Sequence, residues 1–109
     1  MMNKPDIREV KGKTVSITGP YYTFSSPYGT GVTCERDEWY VSRVATAAEK
    51  RKSEITKLLG TRCLGNIVRP RRNKRRYVIS QLYPMVTLTS LKKAIEFLVE
   101  NDGKLVFCT

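Results

Sequence analysis

The chain has 109 residues, which is enough for one domain with one modest hydrophobic core. Its formal net charge is +10 and it contains no histidine, so a Ser-His or Cys-His catalytic nucleophile is excluded. No apolar run approaches the roughly 18–20 residues that span a bilayer, and the N-terminus lacks the hydrophobic segment of a signal peptide.

The N-terminal part of the sequence predicts a flexible arm followed by a strand. Residues 1–11 are polar and contain a proline, which favours an irregular arm. In the segment Lys13–Thr18, Val15 and Ile17 alternate with polar residues, as in a strand with one buried face. Residues 12–109 are predicted to form a single domain.

Three β-prone segments follow before the first helix. Gly19-Pro20 interrupts the first strand, and the segments Tyr21–Phe24 and Trp39–Val44 are rich in aromatic and β-branched residues. Together with residues 32–35, Trp39–Val44 is expected to form one long or broken strand, after a loop over residues 25–31.

A helix is predicted from Thr46 to Gly60. Thr46 and Glu49 have the spacing of a capping box, in which each side chain accepts a hydrogen bond from the other residue's backbone N–H. Gly60 is a natural left-handed stop for the helix. The apolar residues of this segment recur at helical spacing and are expected to face the sheet: Ala48, Ile55, Leu58 and Leu59.

A strongly basic segment follows this helix. Residues 57–93 include ten Lys or Arg and no Asp or Glu, and six of the eight residues at 69–76 are cations. Two strand candidates flank the turn at the centre of this segment. The sequence therefore predicts a basic β-hairpin over residues 62–82 whose tip meets a polyanion.

A second helix is predicted after the hairpin. Thr87 or Thr89 is expected to cap it. Its apolar residues recur at +3, +4, +3 and +1 from Leu88 to Val99, which indicates one buried stripe. Asp102-Gly103 is expected to end the helix.

Together these elements predict an α+β fold, with an antiparallel sheet of four to five strands and two helices packed on one face. The helices should contribute Ile55, Leu58, Leu59, Leu91, Ile95 and Leu98 to the core. The strands should contribute Val15, Ile17, Val41, Ile67 and Ile79. Core packing is also expected for the aromatic residues Phe24, Trp39, Phe97 and Phe107.

The basic hairpin predicts a surface for nucleic acid, either DNA or RNA. Arginine outnumbers lysine at its tip, which suits bidentate contact with phosphate or guanine. For Tyr21, Tyr22 and Tyr28, stacking on bases and packing in the core are both open. The residues predicted to contact nucleic acid are Arg62, Arg69, Arg71, Arg72, Lys74, Arg75, Arg76, Tyr77, Lys13, Tyr21 and Tyr22.

Two other functions remain open. One is a small inhibitor or adaptor, of the kind found among phage and mobile-element proteins, which binds an acidic protein of the host nucleic-acid machinery. The other is a nuclease in which Glu35, Asp37 or Glu38 holds Mg²⁺, although a solvated acidic turn is the preferred interpretation of these residues. We predict a non-enzymatic binding protein without cofactor or metal.

The three cysteines, Cys34, Cys63 and Cys108, are widely spaced and form no CxxC pair, and no histidine is present to complete a zinc site. Buried free thiols in a reducing compartment are expected, so the protein is predicted to be cytoplasmic rather than secreted. Strand edges near residues 32–36 and 104–108 would allow two chains to pair as a homodimer.

The stretch from Lys13 to Leu98 resembles the ββαββα half-domain of LAGLIDADG homing endonucleases. The matching pieces are GKTVSI (12–17) as a first strand, EITKLLG (54–60) as the end of a middle helix, RRYVIS (75–80) as a fourth strand and SLKKAIEFL (90–98) as a last helix. The resemblance implies an antiparallel, saddle-shaped sheet that lies in the major groove of DNA. Residues 1–11 hold no counterpart of that family's signature helix, so the resemblance implies a DNA-binding relative without cleavage activity.

Overall fold

The structure, a computed structural model, describes residues 4–25, 34–82 and 84–105. Within these residues six strands and three helices are present. The strands are Asp6–Val10 (β1), Lys13–Ser25 (β2), Cys34–Val44 (β3), Thr61–Pro70 (β4), Tyr77–Ile79 (β5) and Thr87–Leu88 (β6). The helices are Ala47–Lys52 (α1), Glu54–Leu59 (α2) and Leu91–Glu100 (α3). The predictions on Tyr28, Phe107 and Cys108 lie outside the described residues.

The strands form one antiparallel sheet in which each strand pairs with its neighbour in sequence. The predicted α+β fold is therefore confirmed, but the described sheet has six strands and not four to five. One additional strand is β1, which pairs with β2 from Asp6↔Ile17 to Val10↔Lys13. The prediction of a flexible arm over residues 1–11 is therefore wrong for residues 6–10, which form β1. Backbone pairing orders β1 even though most of its side chains are exposed.

Strand β2 runs through Gly19-Pro20, where the sequence predicted an interruption. Its register with β3 shifts at this point. Gly19 has a φ of +136°, which residues with a side chain rarely adopt. A Cβ here would lie 2.7 Å from the carbonyl oxygen of Glu38 and 2.8 Å from Cδ1 of Trp39. The missing side chain is therefore what lets β2 stay against β3.

We expect Gly19→Ala to lower the free energy of unfolding by about 1–3 kcal/mol, because it adds backbone strain and a close contact. The control is Gly12→Ala. Gly12 also has a positive φ, +80°, but a Cβ there would meet nothing within 4 Å. Urea denaturation followed by circular dichroism measures both variants. Equal losses would show that the contact with β3 contributes nothing.

One face of the sheet carries the hydrophobic core and is covered by α3. The predicted strand residues are buried, as is Trp39: Val15, Ile17, Val41, Ile67 and Ile79. Helix α3 buries Ala94, Ile95, Leu98 and Val99 against them, and Leu91 and Phe97 pack at the margin of the core. The predicted stripe is confirmed from Leu91 to Val99, because helical spacing puts these residues on one side. Leu88, predicted as its first residue, lies in β6 instead.

Helix α3 begins after Ser90, whose hydroxyl accepts a hydrogen bond from the backbone N–H of Lys93 at 3.2 Å. The predicted caps were wrong, since Thr87 lies in β6 and Thr89 precedes the cap. Helix α3 has ten residues. Neither it nor another helix in the described ranges combines the length and apolar character needed to cross a membrane.

The predicted middle helix is split at Ser53 and buries none of its residues. The capping box of Thr46 and Glu49 and the left-handed C-cap at Gly60 are confirmed. Ser53 has an extended backbone, and its side chain accepts from the N–H of Thr56 at 3.3 Å, which starts α2. The predicted core residues of this segment are exposed by 70%, 86% and 65%: Ile55, Leu58 and Leu59. That prediction was wrong, because α3 covers the apolar sheet face.

The exposed thiol of Cys63 corrects the prediction that it is buried. Cys63 pairs with Ser42 across the sheet, next to the core residue Val41. Because successive residues of a strand point to opposite faces, Cys63 belongs to the face that does not carry the core.

Candidate nucleic-acid interface

The turn that joins β4 to β5 is held by its own backbone and presents its side chains to solvent. The N–H of Asn73 donates to the carbonyl of Pro70 at 3.1 Å, and the Asn73 side-chain oxygen accepts from the N–H of Arg75 at 3.1 Å. Four exposed cations of this turn form no ion pair within the described part of the chain. We call them the tip cations: Arg72, Lys74, Arg75 and Arg76.

Two further arginines at the base of this turn are fixed by one buried carboxylate. Asp37 in β3 accepts from Arg69 at 3.0 Å with one oxygen and from Arg71 at 3.1 Å with the other. Burial alone would raise the pKa of Asp37, but the hydrogen bonds from Arg69 and Arg71 outweigh it and hold the pKa below the ordinary 3.8. The carboxylate stays charged at neutral pH and positions both guanidinium groups.

A pair of aromatic rings in β2 extends from Arg71. Tyr22 is directly opposite Asp37 in the sheet. The ring of Phe24 is stacked near that of Tyr22, with the centroids 6.4 Å apart and 17° between the planes. The guanidinium of Arg71 lies 4.4 Å from the centroid of the Tyr22 ring, which is within cation–π range. Tyr22 and Arg71, two residues predicted to contact nucleic acid, are therefore in direct contact.

Arg69 also makes cation–π contacts. Its guanidinium lies 5.1 Å from the ring of Trp39 and 5.5 Å from that of Tyr77, and it donates to the Tyr77 hydroxyl at 3.0 Å. Five side chains near the hairpin tip are thus linked by ring and cation–π contacts, with Asp37 joining the two arginines. We call them the aromatic–arginine row: Phe24, Tyr22, Arg71, Arg69 and Tyr77.

The sequence predicted Phe24 in the core, but it is 61% exposed and belongs to this surface. The signal was present, because residues two apart on a strand share a face and Phe24 is two residues from Tyr22. Tyr21, by contrast, was predicted to bind and lies on the opposite face. There its ring packs edge-on against Tyr40, with the centroids 5.6 Å apart.

Arg62 and Lys13, also predicted to contact nucleic acid, are not brought near the tip. The length of β4 between Arg62 and Arg69 separates the two by on the order of 20 Å. Lys13 lies 3.1 Å and Arg62 lies 3.5 Å from a carboxylate oxygen of Asp102, which follows α3. Both cations are thus ion-paired within the protein, away from the tip.

Asp102 is the centre of an ionic cluster that joins the end of α3 to the start of α1. Arg43 donates to Asp102 at 2.5 Å and to Glu49 at 2.7 Å. Burial tends to raise the pKa of Asp102, but hydrogen bonds from Arg43 and Lys13 outweigh it and keep the pKa below its ordinary value. Hydrogen bonds from Arg43 likewise lower the pKa of Glu49. Ion pairs, rather than apolar packing, hold α1 in place.

We expect Asp102→Asn to lower the free energy of unfolding by about 1–3 kcal/mol at pH 7, because charged hydrogen bonds are lost. A carboxylate whose folded pKa is depressed stabilises the fold above its unfolded pKa, near 3.8. That contribution is lost as the pH falls through the folded pKa, so wild type and variant should converge in strong acid. Urea denaturation at several pH values from 7 to 2 measures the difference in free energy of unfolding between wild type and variant. Glu9→Gln, at an exposed position, is the control; a difference that persists in acid would contradict the prediction.

The three acids considered for Mg²⁺ do not converge. Asp37 is held by two arginines on the core-bearing face, whereas Glu38 accepts from the hydroxyl of Tyr40 at 2.8 Å on the other face. Glu35 accepts from the hydroxyl of Tyr22 at 2.6 Å. Over the described residues, no group of three His, Cys, Asp or Glu is placed to hold a metal ion. The geometry gives the nuclease hypothesis no support.

Comparisons with protein-family models, curated proteins and solved structures give no match to this chain. The resemblance to LAGLIDADG homing endonucleases therefore stays a prediction.

Proposed function

We propose that the protein binds nucleic acid through the tip cations and acts by binding rather than by catalysis. The observation that carries this proposal is the group of four exposed cations in one turn, without a carboxylate partner among the described residues. Cations this close repel one another, and a row of phosphates relieves the repulsion while releasing bound counterions. The overall charge of +10 draws the protein to such a polyanion.

The composition of the tip also favours phosphate. Three of the four tip cations are arginines: Arg72, Arg75 and Arg76. The planar guanidinium group donates two parallel hydrogen bonds to phosphate oxygens, which fixes orientation as well as position. Because backbone hydrogen bonds already hold the turn, little main-chain ordering opposes binding.

Fluorescence anisotropy tests the proposal. The protein is purified with nuclease treatment and titrated against labelled single- and double-stranded DNA and RNA over a series of salt concentrations. Each phosphate contact with duplex DNA contributes about −0.9 to the slope of log K against log salt, so four contacts predict a slope of about −3 to −4. If none of the four probes binds near physiological salt, the proposal is overturned.

A second candidate function is supported by the two short helices. Ile55, Leu58 and Leu59 lie three and four residues apart on α2, so their exposed side chains share one side of it. Four cations lie on α1 and α2. We propose, as the alternative, an inhibitor or adaptor whose α2 packs against an apolar site on a protein of the nucleic-acid machinery. Acidic residues around that site on the partner would attract the four cations.

The alternative is tested by comparing two variants in pull-downs after nuclease treatment. Leu58→Glu should abolish a stoichiometric complex that reversal of the tip cations leaves intact, and the complex should re-form from the purified partner. Sedimentation of the protein alone shows whether a second copy covers α2 instead. A complex that depends on the tip cations and ignores Leu58 would reject this alternative.

A further inference from the structure

We propose that the aromatic–arginine row is a stacking site for unpaired nucleobases, so that the protein prefers single-stranded over double-stranded nucleic acid. The inference rests on the proposed function. The tip cations would hold the sugar–phosphate backbone, and the row would receive the bases that this backbone carries.

The row lies where the core-bearing face of the sheet becomes open to solvent. Trp39 and Ile67 are buried, whereas Tyr22, opposite Asp37 and thus two residues beyond Trp39 in the register, is 50% exposed. Phe24 has no polar group and lies further out. A base stacked on these rings would remove from water the apolar ring surface that the described elements leave exposed.

The charge balance of the row suits bases better than phosphates. Arg69 and Arg71 share the carboxylate of Asp37, and the Tyr22 hydroxyl donates to the carboxylate of Glu35. The two cations of the row are thus matched by two adjacent acids. Stacking requires flat, polarisable surfaces, whereas phosphate contact requires unneutralised charge. The two requirements are met separately, by the row and by the tip cations.

The row is also preorganised. The guanidinium group of Arg71 is held by Asp37 and by the Tyr22 ring, and that of Arg69 is held by Asp37 and Tyr77. Bases stack on guanidinium planes as well as on aromatic rings. A ligand therefore meets a surface of rings and guanidinium groups that is already ordered, and few side chains must be immobilised on binding.

The strand preference follows from which base faces are accessible. In a duplex both faces of each base are covered by neighbouring pairs, and only groove edges and phosphates are exposed. Unpaired bases offer a free face to an aromatic ring, whatever their identity. RNA and DNA share this chemistry, and the titrations with single-stranded DNA and RNA described above distinguish the two.

The first test uses the unmodified protein. Its affinity is measured for three labelled probes of about 12 nucleotides: a thymine single strand, an abasic strand with the same sugar–phosphate backbone, and a duplex. The tip cations contact all three. We expect the thymine strand to bind about tenfold or more tightly than the abasic strand, since each stacked base adds affinity.

The second test compares two double variants on opposite faces of the same strands. Tyr22→Leu with Phe24→Leu keeps apolar bulk on the row but removes its rings. Tyr21→Leu with Tyr40→Leu removes the ring pair of the other face. We expect only the row variant to lose the preference for thymine over abasic strand. Its salt slope should stay unchanged, because no phosphate contact is removed.

The outcomes separate the two proposals. Equal affinity of the wild-type protein for thymine and abasic strands overturns the stacking site and leaves backbone binding by the tip cations intact. Equal losses in the two double variants also overturn it. If no probe binds, the proposed function fails and the stacking site fails with it. The wild-type comparison needs no variant, so it remains decisive if the row variant does not fold.

Discussion

Reversing the tip cations is expected to weaken nucleic-acid binding by about 100-fold or more at low salt, because phosphate contacts are replaced by repulsion. The variant carries Arg72→Glu, Lys74→Glu, Arg75→Glu and Arg76→Glu. Anisotropy titrations at several salt concentrations measure the effect. The slope of log K against log salt should flatten by about 3 to 4 on duplex DNA, one unit for each lost contact.

A matched control separates a local contact from the general effect of net charge. Four cations on α1 and α2 are reversed instead, so the net charge falls by the same amount: Lys50, Arg51, Lys52 and Lys57. If attraction to the whole molecule drives binding, the two variants will lose affinity equally. A tip variant that keeps wild-type affinity and salt slope would contradict the proposed function.

Leu98→Ala is expected to lower the free energy of unfolding by about 2–5 kcal/mol, because Leu98 is fully buried and truncation leaves a cavity. Leu58→Ala removes the same atoms from a side chain that is 86% exposed, so a change within about 0.5 kcal/mol is expected. Urea denaturation followed by the fluorescence of Trp39, the only tryptophan, reports both values.

This comparison tests the orientation of α2 directly. The sequence places Leu58 and Leu98 alike on the buried stripe of a helix, while the structure buries only Leu98. A loss of 2 kcal/mol or more from Leu58→Ala would mean that α2 packs against apolar surface. In that event the apolar contact site proposed on α2 would not exist.

Hydrophobic periodicity predicted correctly those elements whose apolar residues had only one surface to pack against. Val15 and Ile17 alternate with polar residues and are buried in β2, and Ile95 and Leu98 lie on the buried stripe of α3. Periodicity failed for α1 and α2 because two helical stripes competed for one apolar sheet face. Nothing in the spacing of Ile55 indicates that α3 covers that face and that Ser53 breaks the helix.

The candidate site could be predicted only in its local part. The tip cations follow from composition, because all four lie in one short turn. The aromatic–arginine row depends on register across three strands, where Tyr22 faces Asp37 and Asp37 faces Arg69. The same limit explains Arg62, since its partner Asp102 lies far along the chain. A count of charges cannot show which cations are already held in ion pairs.

The neighbour-to-neighbour strand order has a consequence for the folding pathway. A sheet of this topology can assemble by successive hairpins with short loop closures, and the basic hairpin closes within residues 61–79. Docking of α3 instead brings together segments that are far apart in sequence, as in the contact of Lys13 with Asp102, which are 89 residues apart. We expect the docking of α3 to come late and to limit the folding rate. The basic hairpin would then form before α3 covers the hydrophobic core.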